Sequence, residues 1–386
     1  MTVVTPRGFR AAGVAAGLKS AGGLDCALVV NDGPQWEAAG VFTRNRVTAA
    51  PVLWTRAACA DGRLRAIVLN SGGANACTGP AGFADTHRTA EHVADALGVG
   101  AIDVGVCSTG IIGRPLDLPR LLRGIDAACA ALGSDESAGR SAAEAIMTTD
   151  TVAKTVSRVD PQGWAIGGMA KGAGMLAPGL ATMLVVLTTD AKLPASVLHE
   201  VLTDVVSRTF DRLDSDGCQS TNDTVLLCAN GAAGVAPGVA EIRQALTEVC
   251  TDLVHQMLDD AEGATKQVTV EVTEAATVAD ALLVARAVAR SNLVKCAVHG
   301  EDPNWGRILA AVGTTAAAFE SDRLAVAING VDCARAGAAI SPIPVVDMSG
   351  RQVRLSVRLG AGPEAAEIWT NDLSAGYVHE NSAYPT

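Results

Sequence analysis

The chain has 386 residues, enough for two domains or one large one, and hydrophobic residues make up 49% of it while aromatics supply only 3%. A core so poor in aromatic rings is built from Ala, Val, Leu and Ile, which pack helices closely on sheets. The formal net charge of −11 and the lack of any Lys/Arg cluster interleaved with aromatics speak against a nucleic-acid surface and leave a small molecule as the expected partner.

From the N-terminus, Arg7, Arg10 and Lys19 interrupt any sustained apolar run, so no signal peptide is expected and the cytoplasm is the expected compartment. Residues 8–56 alternate apolar and polar in short runs and read as strands joined by turns. Ala66 to Leu69 is a further β-prone run ending in a loop from Asn70 to Gly79, and Asp85 to Leu97 has helical spacing. Asp103 to Val106 leads into Cys107, Ser108, Thr109, Gly110, Ile111, Ile112 and Gly113, with a helix from about Leu116. A strand, small hydroxyls and glycine before a helix is the layout of a loop whose N–H groups can face an anion, and also of a plain turn. Neither a Gly-x-x-x-x-Gly-Lys-Ser/Thr pattern nor a Gly-x-Gly-x-x-Gly with a downstream acid is present, so a nucleotide is not expected.

Helical patterns run through Met147, the segment Thr148, Thr149, Asp150, Thr151 interrupts, and Trp164 to Met169 reads as a strand. It enters the central stretch Lys171 to Leu184, in which Gly172, Gly174, Pro178 and Gly179 forbid regular structure and Thr182 opens an apolar run. Gly172 to Thr189 carries no charge, yet its first half is too rich in glycine and proline for a membrane helix. Locally, Thr182 fits either the first residue of a buried strand or a nucleophile held in constrained backbone.

Beyond it the pattern predicts a helix near 194–209, a polar segment from Asp214 to Asp223, a strand from Thr224 to Cys228, a helix over about 239–258 and a strand from Gln267 to Val272. Thr277 with Asp280 forms a capping box for a helix to about Arg290. A strand near Val294 to Val298, a helix after Arg307 and strands near 323–328 and 352–357 complete the chain, which ends in a polar, aromatic tail. The ten cysteines lie singly from Cys26 to Cys333 and read as reduced and mostly buried. The six histidines form no ligand set, and no metal is expected.

Five segments together carry a resemblance. They are Lys171-Gly172-x-Gly174-Met175 with Pro178 and Ala181-Thr182-Met183-Leu184, Ser108-Thr109-Gly110 with Ile112-Gly113, Asn75-Ala76-Cys77-Thr78-Gly79, Glu262-Gly263-Ala264-Thr265-Lys266, and Asn304-Trp305-Gly306-Arg307. In this order they resemble the ornithine acetyltransferase family, the glutamate N-acetyltransferases of arginine biosynthesis, over essentially the whole chain. The resemblance implies an α/β fold of layered sheets and helices, of the ornithine acetyltransferase or self-cleaving aminopeptidase type. It implies self-cleavage between Ala181 and Thr182 into an α chain (1–181) and a β chain (182–386), commonly assembled as α2β2, with a structural sub-boundary near 275. Thr182 would carry the acetyl group from N2-acetylornithine to glutamate without a cofactor, and acetyl-CoA as a further donor stays open. Thr109 and Gly110 match oxyanion-hole positions. Thr148 or Thr149, Lys171, Thr182, Glu262, Asn381 and Thr386 match substrate-binding positions. The rival functions are a self-cleaving amidase or aminopeptidase with water as acceptor, and a non-catalytic amino-acid-binding protein with an uncut chain.

Overall fold

The computed structural model describes residues 2–177 and 183–383. Pro178, Gly179, Leu180, Ala181, Thr182 and Thr386, among the residues singled out above, lie outside that description. The chain forms two compact units, one of residues up to Asp211 with Cys218–Met257, the other of Arg212–Gly217 with the residues from Leu258 onward.

In the first unit the elements run β1 (Phe9–Val14), β2 (Cys26–Asn31), β3 (Glu37–Phe42), α1 (Ala50–Ala58), β4 (Ala66–Asn70), α2 (Gly79–Leu97), β5 (Val104–Ser108), α3 (Leu118–Ala130), α4 (Glu136–Ala145), β6 (Lys154–Val159), β7 (Ala165–Lys171), β8 (Leu184–Thr189), α5 (Ala195–Arg208), β9 (Thr224–Ala229) and α6 (Val239–Asp259). They make two sheets, one ordered β1-β2-β4-β5 and the other β3-β9-β8-β7-β6. Phe9, Val29, Ile67 and Leu69 of the first sheet meet Met169, Leu184, Val186 and Leu226 of the second in a shared core. The opposite face of the first sheet, with Leu28, Val30 and Val68, packs on Val93 of α2 and on Leu121 and Ile125 of α3. Strands covered on both faces cannot alternate, which is why β2 and β8 read as unbroken apolar runs and are buried at every residue. β8, the run that follows position 182, sits inside its sheet with β7 antiparallel on one side and β9 parallel on the other.

The second unit contains β10 (Gln267–Ala275), α7 (Val278–Ala289), α8 (Asn292–His299), α9 (Trp305–Val312), β11 (Ala325–Ile328), β12 (Val331–Arg335), β13 (Ala338–Ala339), β14 (Gln352–Arg358), β15 (Glu364–Asn371) and α10 (Ala375–Ala383). Its sheet is ordered β13-β12-β11-β14-β10-β15. Val268, Val270 and Val272 alternate along β10 to bury one face against Val284 and Val288 of α7 and Ile308 of α9.

Several expectations need correction. The segment 294–298 is not a strand but the body of α8. The Ser291 side chain accepts from Val294 N, and Val294, Ala297 and Val298 are buried, an i, i+3, i+4 stripe that two valines made look β-like. Residues 50–56 belong to helix α1, which Pro51 opens in its first turn. β12, β13 and β15 were not expected, and Ala375–Ala383 at the start of the polar tail form α10. β10, which ends at Ala275, belongs to the second unit, where β14 and β15 hold it. Only half of the cysteines are buried, with Cys77, Cys218 and Cys296 exposed. Among the described residues no helix is long and apolar enough to cross a membrane.

Candidate active site

β4 and β5 lie parallel with Asn70 opposite Ser108, so their C-terminal ends open side by side into the two glycine-rich loops. Asn70 ties these loops together. Its Oδ1 accepts from Ser108 Oγ at 2.6 Å, its Nδ2 donates to Gly73 O at 3.0 Å, and its carbonyl accepts from Thr109 N at 3.0 Å. From the loop before β9, Asn222 Nδ2 donates to Ala74 O at 2.6 Å and to Ser108 O at 2.9 Å. Gly110 has φ +123°, and a Cβ there would lie 2.7 Å from Gly73 N and 2.8 Å from Gly72 C, so no other residue lets the loops approach this closely. Thr109 is thereby fixed at 1% exposure.

Lys171 ends β7 opposite Leu184, the first residue of β8. Its ammonium is buried, 3.5 Å from Thr109 Oγ1 and 3.9 Å from Asp150 Oδ2. Asp150 also accepts from Lys154 Nζ at 2.7 Å, Gly172 N at 2.7 Å and Thr148 N at 3.0 Å. Burial alone pushes the Asp150 carboxyl up, but Lys171 and Lys154 together outweigh it and bring its pKa down to about 2. A second carboxyl, Asp223, is wholly buried, and burial pushes it well above the carboxylate range despite the Met183 N–H and the Lys171 charge. Two ammonium groups, Lys154 and Lys171, therefore face the firmly ionised Asp150 carboxylate.

Of the sequence-derived residues in the first unit, Thr109, Gly110 and Lys171 come together, and Thr148 joins them through its backbone. The Thr148 residue is exposed, whereas Thr149 is half-buried. Asn70, Lys154, Asn222 and Asp223 were not singled out. Asp150 and Lys154, opposite charges four residues apart beside a threonine-rich segment, were a usable signal; Asn70 and Asn222 gave none, because their roles depend on which loops meet.

In the second unit Glu262 and Asn381 meet, with Asn381 Nδ2 donating to Glu262 Oε2 at 2.9 Å. The turn at Gly263 makes this possible. Gly263 has φ +59°, and a Cβ there would lie 2.1 Å from Tyr377 N, so the first turn of α10 rests directly on it. Ser374 Oγ donates to Gly263 O at 2.5 Å and accepts from Tyr377 N at 3.0 Å. Thr265 and Lys266, by contrast, hold the motif in place. Both backbone N–H groups donate to Asp372 Oδ1, and Lys266 Nζ reaches Glu301 Oε1 at 2.7 Å. Asp372 is pushed up by burial, but Thr265, Lys266 and His299 overcome this and lower it. Glu262 lines a pocket with Asp216, Arg290, Asn292, Lys295 and Tyr377.

Layered sheets and helices around the buried Lys154–Asp150–Lys171 cluster define the class, an α/β enzyme. Residues 10–386 match the model of the ArgJ family. The chain is 58% identical over 384 residues to the arginine biosynthesis bifunctional protein ArgJ of Streptomyces coelicolor, with 100% of each chain covered. It is also 58% identical over 386 residues to the protein of that name from Thermobifida fusca, again with 100% of each covered. Among solved structures, ornithine acetyltransferase from Mycobacterium tuberculosis, complexed with ornithine, is 57% identical over 47% of this chain and 96% of that one, with a TM-score of 0.46. The chain belongs to the ArgJ family.

Proposed function

We propose that this chain transfers an acetyl group from N2-acetylornithine to glutamate through an acetyl-threonine intermediate on Thr182, and that acetyl-CoA serves as a second donor, in keeping with the bifunctional ArgJ relatives. The observation that carries this reading is the buried Lys171 ammonium, held against the Thr109 hydroxyl across from the first residue of β8. In the precursor, Thr182 Oγ attacks the Ala181 carbonyl, and water hydrolyses the resulting ester to leave the α chain 1–181 and the β chain 182–386. The freed α-amino group of Thr182 has an ordinary pKa of about 7.7 to 8.0, which suits a base for its own hydroxyl.

Acetyl transfer then follows the same chemistry. As Thr182 Oγ bonds to the acetyl carbon, its proton passes to the α-amine, and the carbonyl oxygen becomes an oxyanion. The Thr109 hydroxyl and the Gly110 N–H are the donors assigned to it, each good donor contributing roughly 3 kcal/mol to the barrier. Breaking the amide C–N bond returns the proton to departing ornithine, and the amine of glutamate attacks the acetyl-threonine. Lys171 binds a substrate carboxylate and Glu262 the distal ammonium of ornithine, with a threonine of the 148–149 pair, Asn381 and Thr386 as further contacts. An α2β2 assembly in the cytoplasm completes the reading.

The test is denaturing intact mass of the protein beside Thr182→Ala, followed by incubation with acetylornithine with and without glutamate. Two fragments meeting at Ala181/Thr182, a variant left whole and N-acetylglutamate formed only with glutamate are the expected results. A wild-type chain that stays at 39.2 kDa removes the α-amino base and with it this reading. Acetate released as fast without glutamate identifies a hydrolase instead.

A further inference from the structure

Glu262 accounts for one end of one substrate, yet the transfer proposed above has two substrates whose far ends are opposite in charge. Ornithine and glutamate share an α-amino and an α-carboxylate group. At the fifth carbon ornithine carries an ammonium and glutamate a carboxylate. In ping-pong transfer they take turns at one acyl group, which sits on the α-nitrogen of each. With the α-groups superposed, both charged ends fall in the same place. A pocket that recognises both needs an anion and a cation that do not quench each other.

The pocket that Glu262 lines in the second unit has that composition, with Asp216, Arg290, Lys295 and Tyr377 also on its wall. Lys295 is committed to the fold. It is buried, and its ammonium donates to Ser215 O at 2.8 Å, to Thr370 Oγ1 at 3.0 Å and to Asn371 O. Arg290 is placed differently. It is the C-cap residue of α7, and its side chain is 43% exposed. A Cβ on Gly217 would lie 3.7 Å from Arg290 Cγ and Nε, so the stem runs along the turn that carries Asp216. Asp214, wholly buried, accepts from Arg290 Nε at 2.8 Å. Burial pushes the Asp214 carboxyl up to about 6, which leaves it ionised at neutral pH. A guanidinium is a flat fork of N–H donors, so anchoring it through Nε orients the plane and leaves the terminal amino groups for a ligand carboxylate. Glu262 and Arg290 do not take each other as partners. Glu262 accepts from Asn381, and Arg290 donates to Asp214.

We infer that Arg290 is a specificity-determining residue for the acceptor, binding the side-chain carboxylate of glutamate in the same pocket where Glu262 binds the distal ammonium of ornithine. The inference rests on the transferase reading and deepens it. Arg290 forms no covalent bond and moves no proton; it selects which amine reaches the acyl group.

The test is Arg290→Gln beside the native protein, with kcat/KM measured separately for acetylornithine and for glutamate. In ping-pong kinetics each value reports its own half-reaction, and their ratio cancels any loss of folded enzyme. The value for glutamate should fall about 10- to 100-fold, and that for acetylornithine by less than about threefold. Arg290→Lys, which keeps a cation for Asp214, should lose less. Glutamine, which lacks the side-chain charge, should be a poor acceptor for the native protein and decline little further in Arg290→Gln. An unchanged ratio of the glutamate and acetylornithine values overturns the inference. So does a loss for glutamine as large as that for glutamate, since Arg290 would then act without meeting the carboxylate. A native protein that makes no N-acetylglutamate from acetylornithine and glutamate defeats the transferase reading before Arg290 is tested, so the two failures are distinguishable.

Discussion

Asp150 in the first unit is buried against Lys154, Lys171 and the backbone N–H groups of Thr148 and Gly172, whereas Glu262 in the second is half-buried with the exposed Asn381 carboxamide against it. Both are carboxylates in segments that matched substrate-binding motifs, but they hold charge differently. In the dry cluster every charge is strong, unscreened and fixed by a partner, so its sign is part of the fold. Beside solvent, a carboxylate is weaker, screened by salt and adjustable to a ligand. The first arrangement fits work on reacting atoms, and the second fits recognition of a charged end.

This contrast is open to direct attack. The largest effect is expected from Thr109→Val, which deletes the hydroxyl beside Lys171 while keeping its shape. Steady-state kinetics should show kcat lower by about 10²- to 10³-fold with KM nearly unchanged. A loss confined to KM would move Thr109 from transition-state stabilisation to ground-state binding.

Next in size is the acid stability of the first unit. The folded pKa of Asp150 lies below its ordinary 3.8, at about 2. Its stabilisation, about 2 kcal/mol, is therefore complete above the ordinary value and lost as pH falls through about 2. Urea midpoints measured from pH 5 down to pH 2 should fall over that window in low and high salt alike. A fall that salt abolishes would place the charge nearer to solvent than its burial indicates.

Glu262→Gln should raise KM for acetylornithine about tenfold at low salt, and by less at high ionic strength. An unchanged KM would remove Glu262 from ammonium recognition. The smallest effect belongs to Asn381→Ala, where loss of one exposed hydrogen bond to Glu262 should raise KM about two- to fourfold without changing kcat.

What the sequence determined by itself was local. Buried strands announce themselves by unbroken apolar runs, as in β2 and β8, and α7 by its Thr277 cap, because periodicity and capping depend on neighbours within one turn or one strand. The motif residues Thr109, Gly110, Lys171 and Glu262 were legible for the same reason, as short fixed patterns. α8 was misread because eight residues give too short a window to separate a helical stripe from a strand rich in valine. Only the tertiary structure decided that Asn70 and Asn222 hold two loops together, that Lys154 shares Asp150 with Lys171, and that Asp223 lies beside Met183. Each of these contacts depends on which strand ends and loops meet, and sheet pairing between distant segments leaves no mark on the spacing of residues along the chain.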